Sequence, residues 1–167
     1  MKSADAPREC RLVLPSAASL PTEGTFGDGP LPPIHPNVFG SGPKNAAGPR
    51  MIHYRDQDVI RATFVFDHRY EGGLGLVHGG VTAAVLDDIL GGVLIVLKRR
   101  AVTAQLEVSY FAPIPIDDEV QVEGWLESID GRKIKLVSRV LDEGQTMAIA
   151  RCLLIEVPRD YFPIVEA

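Results

Sequence analysis

The sequence has few cysteines, no concentration of positive charge and no long uninterrupted apolar run. Cys10 and Cys152 are the only cysteines among 167 residues, and they form neither a CxxC pair nor a metal-ligand spacing. A disulfide framework is therefore not expected, and no metal site is predicted. We expect two unpaired thiols in a reducing, cytoplasmic compartment.

Charge and hydropathy argue against two further classes of protein. The net charge is −5 and the basic residues are scattered, which is not the pattern of a nucleic-acid-binding surface. No stretch approaches the roughly 20 apolar residues of a membrane span, because Asp87 and Asp88 interrupt the longest run. The first twenty residues lack the apolar core of a signal peptide. The expectation is a soluble protein without a membrane span.

Proline and glycine divide the chain into three predicted parts. Nine of the 13 prolines and six of the 16 glycines fall in the first 50 residues. Because proline fixes φ and removes a backbone donor, residues 1–35 are predicted to form a partly irregular, proline-rich arm. Residues 36–160 are predicted to form one domain, followed by a tail at residues 161–167. The apolar fraction of 46% is sufficient for a core.

Alternation of apolar and polar residues after residue 50 predicts a series of strands. They are expected near residues 60–67, 104–110, 120–127, 134–140 and 147–157. The last is apolar on both faces, which favours a central strand or an interface. Asp130-Gly131 and Asp142-Glu143-Gly144 predict tight reversals. The predicted order is an early hairpin, one helix and then an antiparallel meander.

The apolar segment after residue 79 predicts a helix that ends near the basic residues 98–100. Its apolar residues cover every direction of a helical wheel, so the helix should be buried on all sides. A sheet wrapped around one helix buries most of it. Since one curved sheet hardly covers every side, a second subunit is expected to cover the rest.

Two features of this helix suggest chemistry. An ionised carboxylate such as Asp87 inside an apolar helix needs hydrogen-bond donors or a raised pKa. His78-Gly79-Gly80 before the helix leaves backbone N–H groups that can stabilise the oxygen of an ester or thioester under attack. Structural alternatives remain. Asp88 could cap or pair with a basic residue or face a water pocket, either aspartate could reach solvent, and the glycines could only permit a tight turn.

The spacing of these two features predicts an obligate homodimer. His78 and Asp87 are nine residues apart, about 13 Å and half a turn along a helix. Their side chains point in opposite directions and cannot meet on one helix. If both act in one site, the glycine turn of one subunit must face the aspartate of the other, giving two equivalent sites across a two-fold axis.

The stretch YEGGLGLVHGGVTAAVLDD, residues 70–88, resembles the central helix of hotdog-fold acyl-CoA thioesterases of the phenylacetate-pathway and long-chain acyl-CoA branch. PNVFGSGPKNAAG, residues 36–48, resembles the family segment that precedes it. AVTAQLEVSY after the helix places Thr103 where the family carries a serine or threonine. The likeness spans about residues 36–157. It implies an α+β hotdog fold, an antiparallel sheet wrapped around a long central helix, as a dimer or a dimer of dimers.

The resemblance also implies hydrolysis of acyl-CoA thioesters to a carboxylic acid and coenzyme A, without a cofactor. Asp87 would be the nucleophile or general base, and Thr103 would orient it. Gly79, with Gly80, would hold the thioester oxygen, and His78 would orient the turn or assist the departing thiolate. Asp88 is interpreted as structural. The candidate catalytic residues are Asp87, His78, Gly79 and Thr103, and the candidate substrate contacts are Gly80, Val77 and Leu76.

The chain departs from the family pattern at several positions. Val38 and Ser41 replace two cysteines, and Gly72 stands where some relatives carry an amide side chain that polarises the carbonyl. The oxyanion donors would therefore be mainly backbone N–H groups. Phe111 and Ala112 stand where many relatives carry a basic residue that would meet coenzyme A.

Several functions remain open on this scaffold. The thioester could be carried by an acyl carrier protein, or the protein could bind acyl thioesters without turnover. A hotdog dehydratase or hydratase would place its histidine and acid in other sequence settings. Residues 98–100 or 132–133 are candidates to meet the phosphates of coenzyme A, with a solvated surface as the alternative.

Overall fold

The computed structural model describes residues 14–22 and 26–162 as one helix packed against an antiparallel sheet. The seven-stranded sheet has the order β1-β2-β3-β7-β8-β9-β6, and β4 and β5 form a separate two-stranded hairpin. The elements are β1 Gly29–Pro30, β2 Tyr54–Asp56, β3 Val59–Val65, a 3₁₀ turn at His68–Tyr70, β4 Glu71–Gly73, β5 Leu76–Val77, α1 Gly79–Leu97, β6 Ala101–Tyr110, β7 Glu119–Asp130, β8 Lys133–Asp142 and β9 Gln145–Glu156.

The predicted topology is confirmed in its main features. The β2–β3 hairpin precedes the helix, and β7, β8 and β9 form an antiparallel meander after it. β6 follows the helix directly but pairs with β9, so it lies at the edge of the sheet instead of beginning the meander. β9 lies between β8 and β6. This interior position explains why both faces of β9 are apolar.

The two predicted reversals connect the meander strands. Glu143 and Gly144, between β8 and β9, have φ values of 46° and 82°. Positive φ at both central residues is what a type I′ hairpin turn requires, because its twist matches that of the flanking strands. These short connections fix the pairing of β7, β8 and β9 and therefore the concave surface that receives the helix.

Helix α1 buries one face against this surface. Its fully buried apolar side chains are Val85, Leu86, Ile89, Leu90, Val93 and Val96. The opposite stripe, which includes Ala84, Asp87 and Leu94, is only half-buried. Complete burial of the helix is thus not achieved within one chain, because the sheet covers one side of it. Cover by a second subunit stays a prediction.

Helix α1 is also long and apolar enough for a membrane span by length and composition. Its 19 residues have a mean hydropathy of 2.0. The sequence expectation that no segment approaches such a span is wrong on this measure, since two aspartates lower the mean hydropathy too little. A core helix passes the same test, and half of the apolar window is buried inside this fold.

Part of the predicted N-terminal arm packs against the sheet. Leu20 and Leu31 are buried in the main core. The Ala18 N–H donates to the Leu126 carbonyl at 2.8 Å. The Trp125 indole N–H donates to the Pro15 carbonyl at 3.1 Å. Residues 14–20 therefore lie along β7, although most of this segment has no regular secondary structure. Cys10 and most of the predicted tail lie outside the described residues.

Candidate active site

Asp87 is held at the half-buried stripe of helix α1 by a side chain from β6. The Thr103 hydroxyl donates to Oδ1 of Asp87 at 3.0 Å. The thiol of Cys152, on the neighbouring strand β9, lies 4.0 Å from the same oxygen. Among the described residues, none donates a hydrogen bond to the second carboxylate oxygen, Oδ2. One oxygen of Asp87 is thus fixed while the other is available to a reacting group.

The surroundings of Asp87 favour its protonated form more than water does. Burial raises the pKa of Asp87, the hydrogen bond from Thr103 opposes this shift, and the nearby Asp88 carboxylate adds to it. Burial, followed by the charge of Asp87, raises the pKa of the Cys152 thiol to about 12. Cys152 therefore stays protonated at neutral pH and is unsuited to be the nucleophile.

Asp88 connects the helix to the segment at residues 36–48. Its Oδ1 accepts the Gly40 N–H at 3.1 Å, and its Oδ2 lies 3.2 Å from Nε2 of the buried His53. A Cβ at Gly40 would stand 2.2 Å from the carboxyl carbon of Asp88, so the close approach requires glycine. These contacts support the structural interpretation of Asp88.

The glycine turn forms the N-terminus of helix α1, with His78 as its N-cap. Nδ1 of His78 accepts the Gly80 N–H at 2.9 Å. The turn is positioned from both sides, since the His78 N–H donates to Tyr70 and the Val77 N–H donates to Ile114. The Gly80 amide is thus already occupied. Within the described part of the chain, no atom accepts a hydrogen bond from the Gly79 N–H, which leaves it as the free donor.

Side chains from other elements shape the surroundings of this amide. The Tyr110 hydroxyl donates to the Gly79 carbonyl at 2.7 Å. A Cβ at Gly72 would lie 2.5 Å from Cα of His78, so this hairpin geometry has no room for an amide side chain there. A cleft of about 300 Å³ opens beside the turn, lined by Val77, Gly79, Thr82 and residues 110–114. Leu76 is partly exposed and does not line it.

The predicted residues therefore form two groups instead of one. Asp87 and Thr103 meet at the middle of the helix, while His78, Gly79 and Gly80 meet at its N-terminus. Gly79 and Asp87 are eight helical residues apart, about 12 Å along the axis. One thioester group cannot touch both groups within a single chain.

The structure brings three residues to the site that the sequence analysis did not place there. Tyr110 and Cys152 contact the two halves of the site, and the buried Ser138 hydroxyl donates to the Leu86 carbonyl at 2.7 Å, beside Asp87. Strand alternation places each on a strand, but only the β6–β9 pairing and helix packing bring them to the site. Among the described residues, no cluster of three or more histidine, cysteine or acidic side chains is placed to hold a metal ion.

The amino-acid sequence is similar to known thioesterases over part of its length. The family model of the thioesterase superfamily matches residues 74–149. Mouse acyl-coenzyme A thioesterase THEM4 is 32% identical over 96 residues, which cover 53% of this chain and 41% of the mouse protein. Its bovine counterpart is 27% identical over 124 residues, or 72% of this chain and 51% of that protein. The chain spans about half or less of the length of these curated relatives.

Solved structures share the architecture. A crystal structure of a thioesterase superfamily protein superposes with a TM-score of 0.67 at 33% identity, covering 70% of this chain and 61% of that one. A hypothetical thioesterase protein from Streptococcus pneumoniae, solved with coenzyme A, has a TM-score of 0.58 at 22% identity and covers 62% of this chain and 83% of that one. The chain has the hotdog fold, and residues 74–149 are similar to the thioesterase superfamily.

Proposed function

We propose that the protein hydrolyses acyl-CoA thioesters to a carboxylic acid and coenzyme A, at a site shared by two subunits of a homodimer. The observation that carries this proposal is the Asp87 carboxylate. It is half-buried in an apolar helix, has a raised pKa and is oriented by Thr103. A carboxylate in such surroundings is a better base near neutral pH than one in water. The match of residues 74–149 to the thioesterase superfamily model and the acyl-CoA thioesterases among the curated relatives support the same reaction.

Two routes use the free oxygen of Asp87. As a general base, Oδ2 removes a proton from water while the water oxygen attacks the thioester carbon. As a nucleophile, Oδ2 attacks that carbon itself, and water then cleaves the resulting anhydride. In both routes the carbonyl oxygen gains negative charge and the carbon–sulfur bond breaks. The thiolate takes the proton that water releases, which Oδ2 passes on in the first route and which cleavage of the anhydride supplies in the second. Thr103 holds Oδ1 and so fixes the direction in which Oδ2 points.

The carbonyl oxygen is stabilised by a backbone amide at the helix N-terminus. The partner subunit's Gly79 provides this amide in our proposal, because the amide of the same chain lies about 12 Å from Asp87. A donor that is free before substrate binds, at the positive end of a helix, needs no rearrangement as charge develops. His78 maintains the turn through Nδ1, so its neutral ring carries the proton on Nε2, where it can donate to the departing thiolate.

A dimer also fits the exposed parts of the fold. The helix stripe containing Asp87 is half-buried in one chain, and β6 is an edge strand of ten residues. An edge strand presents unpaired backbone groups that a second strand can satisfy. A two-fold pairing near β6 would bring a second helix towards Asp87 and Thr103.

Release of free thiol from a panel of acyl-CoAs of increasing chain length tests the proposal. Asp87→Asn should lower turnover by about 10³-fold or more, since it removes the base or nucleophile but keeps a side chain of the same shape. Asp118→Asn, which changes an exposed acid in the loop before β7, is the matched control and should retain activity.

Near wild-type turnover in Asp87→Asn would remove that residue from the mechanism. An acyl thioester that binds the wild type without thiol release would instead identify a non-catalytic binding protein. Release only from acyl carrier protein, and not from any acyl-CoA, would change the carrier but leave the chemistry of Asp87 in place.

A further inference from the structure

The edge strand β6 contacts both ends of the chemistry on helix α1, through a hydroxyl group at each end of the strand. At one end the Thr103 hydroxyl donates to the Asp87 carboxylate. At the other end the Tyr110 hydroxyl donates to the Gly79 carbonyl at 2.7 Å. Tyr110 is half exposed, and within the described residues its hydroxyl makes no other hydrogen bond. The proposed reaction gives this hydroxyl no role so far.

The peptide group that Tyr110 contacts is the same one that holds His78. The Gly79 carbonyl and the Gly80 N–H belong to one planar peptide unit. Its carbonyl end accepts from Tyr110, and its N–H end donates to Nδ1 of His78 at 2.9 Å. Two hydrogen bonds thus form a continuous chain from the Tyr110 hydroxyl through this peptide to the imidazole ring.

Such a chain strengthens the hydrogen bond at its far end. A hydrogen bond accepted by the oxygen of an amide polarises the amide, which makes its N–H a stronger donor. An N–H that points at Nδ1 requires a lone pair on that nitrogen, so the neutral ring carries its proton on Nε2. The Tyr110 hydroxyl therefore favours the tautomer of His78 that has its donor on the outer nitrogen.

Close packing limits the rotation of the same ring. A Cβ at Gly72 would lie 2.9 Å from Cδ2 of His78, and a Cβ at Gly80 would lie 3.0 Å from its Cε1 and Nδ1. The β4–β5 hairpin and the helix backbone thus approach the ring from two sides. His78 is exposed, and none of the described residues forms a hydrogen bond with its Nε2. This nitrogen is therefore the one that a substrate can reach.

We propose that Tyr110 is a positioning residue for thioester cleavage, whose hydroxyl acts through the Gly79–Gly80 peptide to keep Nε2–H of His78 directed at the departing sulfur. The inference rests on the proposed function, in which His78 donates to that sulfur. Nε2–H stabilises the thiolate by a hydrogen bond as the carbon–sulfur bond breaks, and the proton that the thiolate finally takes comes from water. Tyr110 itself neither gains nor loses a proton.

Removal of the hydroxyl alone tests this role. Tyr110→Phe keeps the ring that lies 3.6 Å from where a Cβ at Gly79 would stand. It should lower kcat on acyl-CoA thioesters by roughly threefold to tenfold, the worth of one hydrogen bond, with KM almost unchanged. Tyr54→Phe is the matched control, since Tyr54 is also exposed and its hydroxyl makes no hydrogen bond within the described residues. It should keep the wild-type kcat.

A double-mutant cycle tests whether Tyr110 acts through His78. His78→Asn removes the imidazole but keeps an acceptor for the Gly80 N–H, because asparagine is among the preferred N-cap residues. In the His78→Asn background, Tyr110→Phe should change kcat by less than about twofold, since no ring is left to position. The same loss in both backgrounds would overturn the proposal, because Tyr110 would then act by another route.

Nuclear magnetic resonance of the full chain tests the proposal without any hydrolysis. Long-range proton–nitrogen correlations distinguish a bare ring nitrogen from a protonated one, and His78→Asn identifies the signals of His78. At mildly alkaline pH the wild type should show a bare Nδ1 and a protonated Nε2. In Tyr110→Phe both nitrogen signals should move towards a mixture of the two tautomers. The Gly80 amide should exchange with solvent roughly threefold faster or more, and Tyr54→Phe should change neither property.

The two readouts separate this inference from the proposed function. Wild-type signals of His78 and Gly80 in Tyr110→Phe would overturn the role of Tyr110, whatever the activity of the variant. A shifted tautomer in Tyr110→Phe, combined with no hydrolysis of any acyl thioester by the wild type, would refute the proposed function. The connection from Tyr110 to the His78 ring would then still stand.

Discussion

At the scale of single residues, the proposed function depends on how one carboxylate is surrounded. Asp87 could be recognised from sequence as exceptional because a charged residue inside an apolar helix needs a reason to be there. Its partner Thr103 was identified by resemblance alone, since no local pattern connects two residues 16 positions apart. Tyr110 and Cys152 could not be predicted, because their roles arise from the β6–β9 pairing and from packing against the helix.

The pH dependence of kcat/KM should report on Asp87. In the proposed mechanism Asp87 acts in its ionised form, and burial raises its pKa. As the pH is lowered, activity should therefore begin to fall at a higher pH than an ordinary aspartate would give. Thr103→Val removes the one contact that lowers this pKa. The acidic limb of the profile should therefore move to higher pH in this variant, while Thr103→Ser should keep it near the wild-type position. If the acidic limb does not move in Thr103→Val, Thr103 does not influence the pKa of Asp87.

The same shift predicts how Asp87 affects stability. The pKa of Asp87 is higher in the folded state than in the unfolded chain. At a pH between these two pKa values, the folded state therefore binds more protons than the unfolded chain. Stability from this group is present below the unfolded pKa and falls as pH rises through the folded pKa. At neutral pH, Asp87→Asn should thus raise the melting temperature, and the difference from the wild type should shrink in acid. A lower melting temperature at neutral pH would contradict this account.

At the scale of elements, helix α1 positions both halves of the chemistry. The bounds of the helix, its glycine turn and the five predicted strands follow from periodicity and turn residues, which are local properties. The edge position of β6 did not follow, because alternation identifies a strand but not its neighbour. The occupation of the Gly80 amide by His78 also required the structure, since it depends on a side-chain rotamer.

A substitution at the first helical residue, Gly79, tests the role of its backbone N–H without disrupting the helix. Proline is well tolerated at this position, and the φ of −64° and ψ of 128° at His78 suit a residue before proline. Gly79→Pro therefore removes the free N–H while keeping the helix, and kcat should fall by about 10² to 10³-fold with the melting temperature almost unchanged.

Gly79→Ala is the matched control for this prediction. It keeps the N–H, and its Cβ would meet the Tyr110 ring at an ordinary 3.6 Å. Its activity should stay within a few-fold of the wild type. If Gly79→Pro retains full activity, the amide of residue 79 does not stabilise the oxyanion.

At the scale of the whole molecule, the proposed site requires a second copy of the chain. The sequence argument for a dimer used helical geometry, and the folded chain keeps Asp87 and Gly79 about 12 Å apart. The half-buried stripe of α1 and the free edge at β6 lie on the side where a partner would supply the missing amide. Neither feature could be located from composition, since both depend on which helix face the sheet covers.

Mixed dimers of Asp87→Asn and Gly79→Pro test the shared site most directly. Each variant alone should be inactive. If the two chains carry different affinity tags and mixed dimers are purified over both, one site combines an intact Asp87 with an intact Gly79 amide from the other subunit. Turnover per mixed dimer should then recover to about half of the wild-type value, since one of two sites is complete. Mixed dimers as inactive as either parent, or a failure of the two chains to associate, would contradict the account.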